Sequence, residues 1–276
     1  MTMKNKKIGF VGAGNMAQAI MGGLIKNGTP ASSIFISEPN SELAATLSEN
    51  LGLTVVNSSA ALFTHCDVIV LAIKPQVMRK VLTDLRGITL RENAFIVSVA
   101  AGLPISLMQD WLAEASPIIR VMPNTPALVG AGVSGLFASE QVSEAQKQVG
   151  ESVLRAVGSV VWVDQEHLID SITAISGSGP AYFFYFIEAL EQAALQNGLN
   201  AEQAKLLSLE TAFGAAKLAL ESDVSAATLR QRVTSPGGTT QAALEVLKAN
   251  DLLGSVDAAV TAAVLRAKAL GEQAAE

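Results

Sequence analysis

Cysteine is almost missing: the 276 residues hold one, Cys66, so no internal disulfide can form and an apolar core must hold the fold. Histidine is nearly as scarce, with only His65 and His167, and no Cys/His spacing suits a metal; no metal site is expected. Charged residues make up 16%, well below the roughly 25% of an ordinary domain. The apolar share of 50% excludes intrinsic disorder. Long uncharged runs are also missing. The longest, Val121 to Ser139, contains Pro123, Asn124, Pro126 and several glycines, which excludes a lipid-facing helix. The net charge is −6 and no basic run exceeds Lys6-Lys7, which argues against nucleic acid as a partner. Together these absences predict a cytoplasmic protein with a buried, structural Cys66 thiol.

The length suits two domains at roughly 150 residues each. Up to residue 163, short apolar runs alternate with amphipathic stretches. Ile8–Val11, Ile34–Ser37, Thr54–Val56, Val68–Ile73, Phe95–Val99 and Ile118–Met122 read as strands, and Val133–Ala138 and Val160–Val163 close the set. Ser41–Asn50 and Gln76–Leu85 carry helical spacing, so this part is read as βαβ units around a mostly parallel sheet. Beyond Asp164 the chain turns alanine-rich and helical, around Ile187–Gln196, Ala201–Leu220, Thr240–Lys248 and Leu252–Ala269. The predicted fold is therefore α/β, a Rossmann-like dinucleotide-binding domain over 1–163 followed by an all-α domain over 164–276. Leu252–Ala269 is apolar on more than one face, which a second subunit would cover.

Lys7 to Ala17 reads as a strand, the turn Gly12-Ala13-Gly14-Asn15-Met16-Ala17 and the start of a helix, the context of a dinucleotide fingerprint. Gly12 permits the tight turn, Gly14 admits a pyrophosphate, and amides at the helix start attract its charge. Glu38 falls at the end of the second strand, where an acid binds an adenosine ribose and favours NAD. The neighbours Ser37, Asn40 and Asn57 are neutral donors that suit a 2′-phosphate. Ala72-Ile73-Lys74-Pro75 and Ser98-Val99-Ala100-Ala101-Gly102 each leave a strand at its carboxyl end, where ligands of open sheets bind. Arg120 to Pro126 leaves a further strand through two prolines, stiffening Asn124 and Thr125. Ser176-Gly177-Ser178-Gly179-Pro180 reads as a break in a helix from about His167 to Gln196, with Thr173 one turn earlier. Thr234 to Thr240 precedes a helix near Gln241, so the hydroxyls of Ser235, Thr239 and Thr240 meet free amides beside Gly238, a place for a carboxylate.

No histidine falls in these loops, and no lysine lies between Lys147 and Lys205. Alcohol oxidation needs a base; an imine nitrogen is basic enough to need little more than a hydroxyl or water. Hydride transfer to C=N therefore fits the inventory better. A β-hydroxyacid dehydrogenase should carry a lysine near Ser176 to Tyr182, and a nucleotide sensor without chemistry would not need the Ser235–Thr240 loop.

Five motifs in order, Gly12–Met16, Ala72–Pro75, Arg120–Pro126, Ser176–Tyr182 and Thr234–Thr240, closely resemble the pyrroline-5-carboxylate reductase family along essentially the whole chain. The resemblance implies a helical domain interlocked with a partner subunit, in homodimers that assemble further into decamers. It implies reduction of 1-pyrroline-5-carboxylate to L-proline by NADPH or NADH. It also implies that Ser235, Gly238, Thr239 and Thr240 hold the substrate carboxylate, with Thr173 near the ring nitrogen. Asn15 and Met16 would then meet the pyrophosphate, Ser37 and Asn57 the adenosine ribose or its phosphate, and Ala72, Lys74, Ala100 and Asn124 the ribose and nicotinamide side. Glu38 departs from the small or hydroxyl residue more usual in the family.

Overall fold

The structure is a computed structural model that describes residues 6–275. Among the described residues, eight strands form one sheet in the order β3-β2-β1-β4-β5-β6-β7-β8. Their ranges are β1 Ile8–Val11, β2 Ile34–Ser37, β3 Thr54–Val55, β4 Val68–Leu71, β5 Phe95–Ser98, β6 Ile118–Met122, β7 Gly132–Ala138 and β8 Gly158–Trp162. All neighbours are parallel except β6 and β7. Strands β1, β4 and β5 are buried at every position, because helices cover both faces; such strands read as unbroken apolar runs.

One face packs on α1 (Asn15–Lys26), α2 (Ser41–Leu51) and α6 (Glu144–Arg155), through Ile20, Met21, Leu47 and Val153 against Phe10, Val70 and Val97. The other packs on α3 (Ser59–His65), α4 (Pro75–Asp84) and α5 (Ile105–Leu112), through Phe63, Met78 and Met108 against Ile69, Leu71 and Ile96. The strand order reverses between β1 and β4, so the helices that follow them, α1 and α4, leave to opposite faces and a crevice opens above the carboxyl ends, where ligands of such sheets bind.

The chain divides into two compact units. The sheet unit runs through Ser178 and takes in Ala263 onward; the helical unit is Gly179–Ala262. Strands end at Trp162, as the change in composition anticipates, yet the sheet unit continues past the expected division after residue 163. The reason is α7 (Leu168–Ile172), whose Ile169 is buried and whose Ile172 fills the space above Gly135 on β7. The helix expected from about His167 to Gln196 is interrupted at its glycines, with a bend at Ser178 and Pro180 in the first turn of the helix that follows. It passes through a π turn at Thr173–Gly177 and resumes as α8, Gly179–Gln196.

Cys66 is fully buried among Leu62, Phe63 and Ile69. Burial first, and Asp67 second, push its thiol from 9.0 up to about 12. The folded chain thus keeps a proton that the unfolded chain releases above pH 9, so this group removes stability as pH rises from 9 towards 12. Iodoacetamide at pH 8 is expected to leave Cys66 unmodified in the native protein and to label it in denaturant, as read by mass spectrometry; rapid native labelling would contradict the burial.

The helical unit contains α8, α9 (Ala201–Leu220), α10 (Ala226–Arg232), α11 (Thr239–Ala249) and the first turns of α12 (Leu252–Ala275). Asn200 and Gln203 form a reciprocal capping box at the start of α9, which fixes where that helix begins. In α8 and α9 only Gly179, Ala204 and Ser208 are buried, while Phe183, Phe184, Tyr185, Phe186, Leu206 and Phe213 are exposed. This unit has an apolar surface and almost no core of its own.

Candidate active site

The site begins where β1 turns into α1. Gly12 has φ of 87°, and a Cβ there would stand 2.6 Å from Ile73 Cγ2 and 2.8 Å from the Ala72 carbonyl oxygen. No side chain fits between the ends of β1 and β4. The Gly12 N–H donates to the Ser37 carbonyl at 2.9 Å, and the Gln18 side chain donates to the Ala13 carbonyl at 2.8 Å, so the turn is rigid. Gly14 is the N-cap of α1, has no side-chain cap, and would place a Cβ in empty space. The first amides of α1, at Asn15 and Met16, therefore lack intrahelical partners and open onto a cradle for an anion. Ala17 is fully buried, letting α1 pack closely on the sheet. These features fit the pyrophosphate of a dinucleotide.

Glu38 lies just beyond β2, which ends at Ser37 rather than at Glu38 itself. Its Oε2 accepts from the Ala13 N–H at 2.9 Å and its Oε1 from the Asn40 N–H at 3.0 Å. The Ser37 hydroxyl lies 3.3 Å from that of Ser59, and Asn57 is exposed nearby, lining the same groove as Glu38. Ala72 is tied to β1 by its N–H, 2.9 Å from the Val11 carbonyl. Lys74, exposed, is the N-cap of α4, with Pro75 in the first turn. The Ala100 methyl is buried with Leu103 and Ile105, so what it offers a ligand is backbone. The preceding Ser98 is fully buried, and its hydroxyl has no hydrogen-bond partner among the described residues.

Asn124 follows β6 and is the N-cap of the short 3-10 turn Thr125–Val129. It is buried; its Nδ2 donates to the Ser176 carbonyl at 3.1 Å and its Oδ1 accepts from the Val133 N–H at 2.9 Å. Through these two bonds the carboxamide ties the π turn to β7. The π turn also presses on β6, because a Cβ on Gly177 would meet Met122 Cε at 2.5 Å. Such turns recur at functional sites, and this one starts at Thr173, whose hydroxyl donates to the Ile169 carbonyl at 2.8 Å.

Sequence reasoning gave Arg120 no role of its own. It is 5% exposed, and its guanidinium reaches Glu166 Oε1 at 3.0 Å and Asp170 Oδ1 at 3.4 Å. Glu166 Oε1 also accepts the Ile105 N–H, so one carboxylate joins β6, α5 and the approach to α7. The signal was available: an arginine inside an otherwise apolar strand needs a buried partner.

In the helical unit, α11 begins at Thr239 rather than near Gln241, and Gly238 is its N-cap with no side-chain cap. The preceding turn is closed from within. Gly238 N–H donates to the Ser235 carbonyl at 3.0 Å, Gly237 N–H to Gln241 Oε1 at 2.7 Å, and the Thr234 hydroxyl to the Arg230 carbonyl at 2.6 Å. Gly237 adopts φ of 70°, which favours glycine. Ser235 and Thr239 are exposed beside these amides and Thr240 is partly so, as an anion site requires.

Comparison with known proteins places both units. The family described as pyrroline-5-carboxylate reductase dimerisation matches residues 166–270, and that described as NADP oxidoreductase, coenzyme F420-dependent, matches 7–102. A pyrroline-5-carboxylate reductase of Pseudomonas aeruginosa is 45% identical over 98% of this chain and 99% of its own. The structure of a pyrroline-5-carboxylate reductase from Coxiella burnetii superposes with a TM-score of 0.92 at 44% identity, covering 96% of this chain and 98% of its own. A Plasmodium falciparum pyrroline carboxylate reductase with NADP bound gives 0.85 at 33%, covering 98% and 100%. The doubly wound sheet, its glycine turn and the attached dimerisation unit define an NAD(P)-dependent oxidoreductase. Within that class, the chain belongs to the pyrroline-5-carboxylate reductase family.

Proposed function

We propose that this enzyme reduces 1-pyrroline-5-carboxylate to L-proline in the cytoplasm, working as a homodimer joined through the helical unit, with dimers assembling further into decamers. The observation that carries the reading is the uncapped start of α11, where amides and the Ser235, Thr239 and Thr240 hydroxyls stand free for a small carboxylate. The amides of Asn15 and Met16 hold the pyrophosphate, Ser37, Glu38 and Asn57 surround the adenosine ribose, and Ala72, Lys74 and Ala100 line the path to the nicotinamide. The bound dihydronicotinamide supplies the hydride. A C–H bond forms at the imine carbon, the C=N π pair passes to nitrogen, and the proton on the iminium stays there as the ring amine.

Thr173 suits one half of that proton arrangement. Its own hydrogen is engaged by the Ile169 carbonyl, so it meets the ring nitrogen as an acceptor. It holds the iminium N–H in place, while the proton itself comes from solvent.

Mixing enzyme, pyrroline-5-carboxylate and NADH or NADPH is expected to consume the dihydronicotinamide and yield proline; no turnover with either cofactor rejects the reading. Thr240→Val should lower substrate kcat/KM by roughly 10-fold to 150-fold, the loss of one hydrogen bond to a charged group at about 1.5–3 kcal/mol. Thr173→Val should lower kcat with less change in KM, and Thr173→Ser should restore it. An unchanged kcat/KM in Thr240→Val, or normal turnover in Thr173→Val, would remove the corresponding residue from the site.

A further inference from the structure

We infer that Glu38 makes this enzyme select the dinucleotide with a free 2′-hydroxyl, NADH, over its 2′-phosphorylated counterpart. The inference rests on the glycine turn being the cofactor site. In a sheet of this kind the residue just after β2 lies beside the adenosine ribose. Here that residue is an acid that cannot swing away. One of its oxygens is held by the Ala13 N–H inside the glycine turn and the other by the Asn40 N–H, at 2.9 and 3.0 Å. Its negative charge is therefore fixed on the turn that receives the pyrophosphate, at the ribose end.

The surroundings do not offset that charge. The groove beside Glu38, about 630 Å³, is lined by Ser41, Glu49, Val56 and Asn57 among others, and among the described residues no lysine or arginine contributes to its wall. A 2′-phosphate adds close to two negative charges and would enter between two carboxylates with only neutral donors for company. A ribose hydroxyl instead finds a ready acceptor. The hydroxyls of Ser37 and Ser59, 3.3 Å apart, are neutral donors and bring no positive charge to meet a 2′-phosphate.

Calorimetric titration of the full-length protein with NAD and NADP, without substrate, isolates this step from turnover. NAD is expected to bind at least 10-fold tighter than NADP, with the gap narrowing as salt screens the repulsion. Glu38→Gln keeps one acceptor for Ala13 and removes the charge, so the ratio of the two dissociation constants should fall by 10-fold or more; Glu38→Ser should lower it similarly. Equal binding of both dinucleotides by the unmodified protein, or a ratio untouched by Glu38→Gln, overturns the inference while leaving the cofactor site intact. Binding of neither overturns the cofactor site and this inference together.

Discussion

Arg120→Met is expected to lower folding stability by about 3–5 kcal/mol, the cost of breaking a buried ion pair from one side. The guanidinium is almost wholly enclosed, and its partners Glu166 and Asp170 retain only 26% and 15% exposure. Without the cation, two carboxylates are left close together beside the sheet, and water cannot easily hydrate them. Replacing all three by neutral residues, as Arg120→Met with Glu166→Gln and Asp170→Asn, should recover much of the loss, because charge left unpaired costs more than charge removed. Urea denaturation at fixed protomer concentration measures both, since assembly contributes to apparent stability. A loss below about 1 kcal/mol in the single variant would mean the pair behaves like one on the surface.

Phe184→Glu should convert the assembled protein into monomers. In α8 the run Phe183, Phe184, Tyr185 and Phe186 is 47–75% exposed on one chain, and Phe213 on α9 is 64% exposed. If this were an ordinary surface, a polar replacement would change stability by no more than about 0.5 kcal/mol. At the centre of an interface, truncating an aromatic anchor costs 2 kcal/mol or more, and a two-fold axis applies the change twice. About 4 kcal/mol weakens association roughly 1000-fold. Sedimentation velocity at micromolar protein reads the outcome directly. Assembly unaffected by Phe184→Glu and by Phe213→Glu would place the contact on another face.

The sheet was legible because its central strands are buried on both sides, so Ile8–Val11, Val68–Leu71 and Phe95–Ser98 stand out as largely apolar runs of strand length. The glycine turn was legible because each of its residues answers a local demand. Shorter or more polar helices escaped notice. Ser59–His65 spans barely two turns, and Glu144–Arg155 has a largely charged outer face, although Ser143 and Gln146 form a capping box that marks its start. The role of Asn124 was out of reach, since its partners lie 9 and 52 residues away and only the folded chain joins them. Clustered glycines after Thr173 marked the interruption but not its form, a π turn over Thr173–Gly177 followed by a bend at Ser178.

The sheet unit is built from two separated stretches of chain. The carboxyl end of α12 returns to it, burying Ala267 and seating Leu270 3.5 Å from a Cβ built on Gly102 in the turn after β5. A ribosome making this protein therefore delivers the sheet and its first seven helices long before the turns that finish them. At about 5–20 residues per second, roughly 5–20 s of synthesis separate Ser178 from the last turns of α12. Throughout that interval the newborn sheet lacks the helix turns that later lie against Gly102, so the unit written first in the sequence is among the last to be completed.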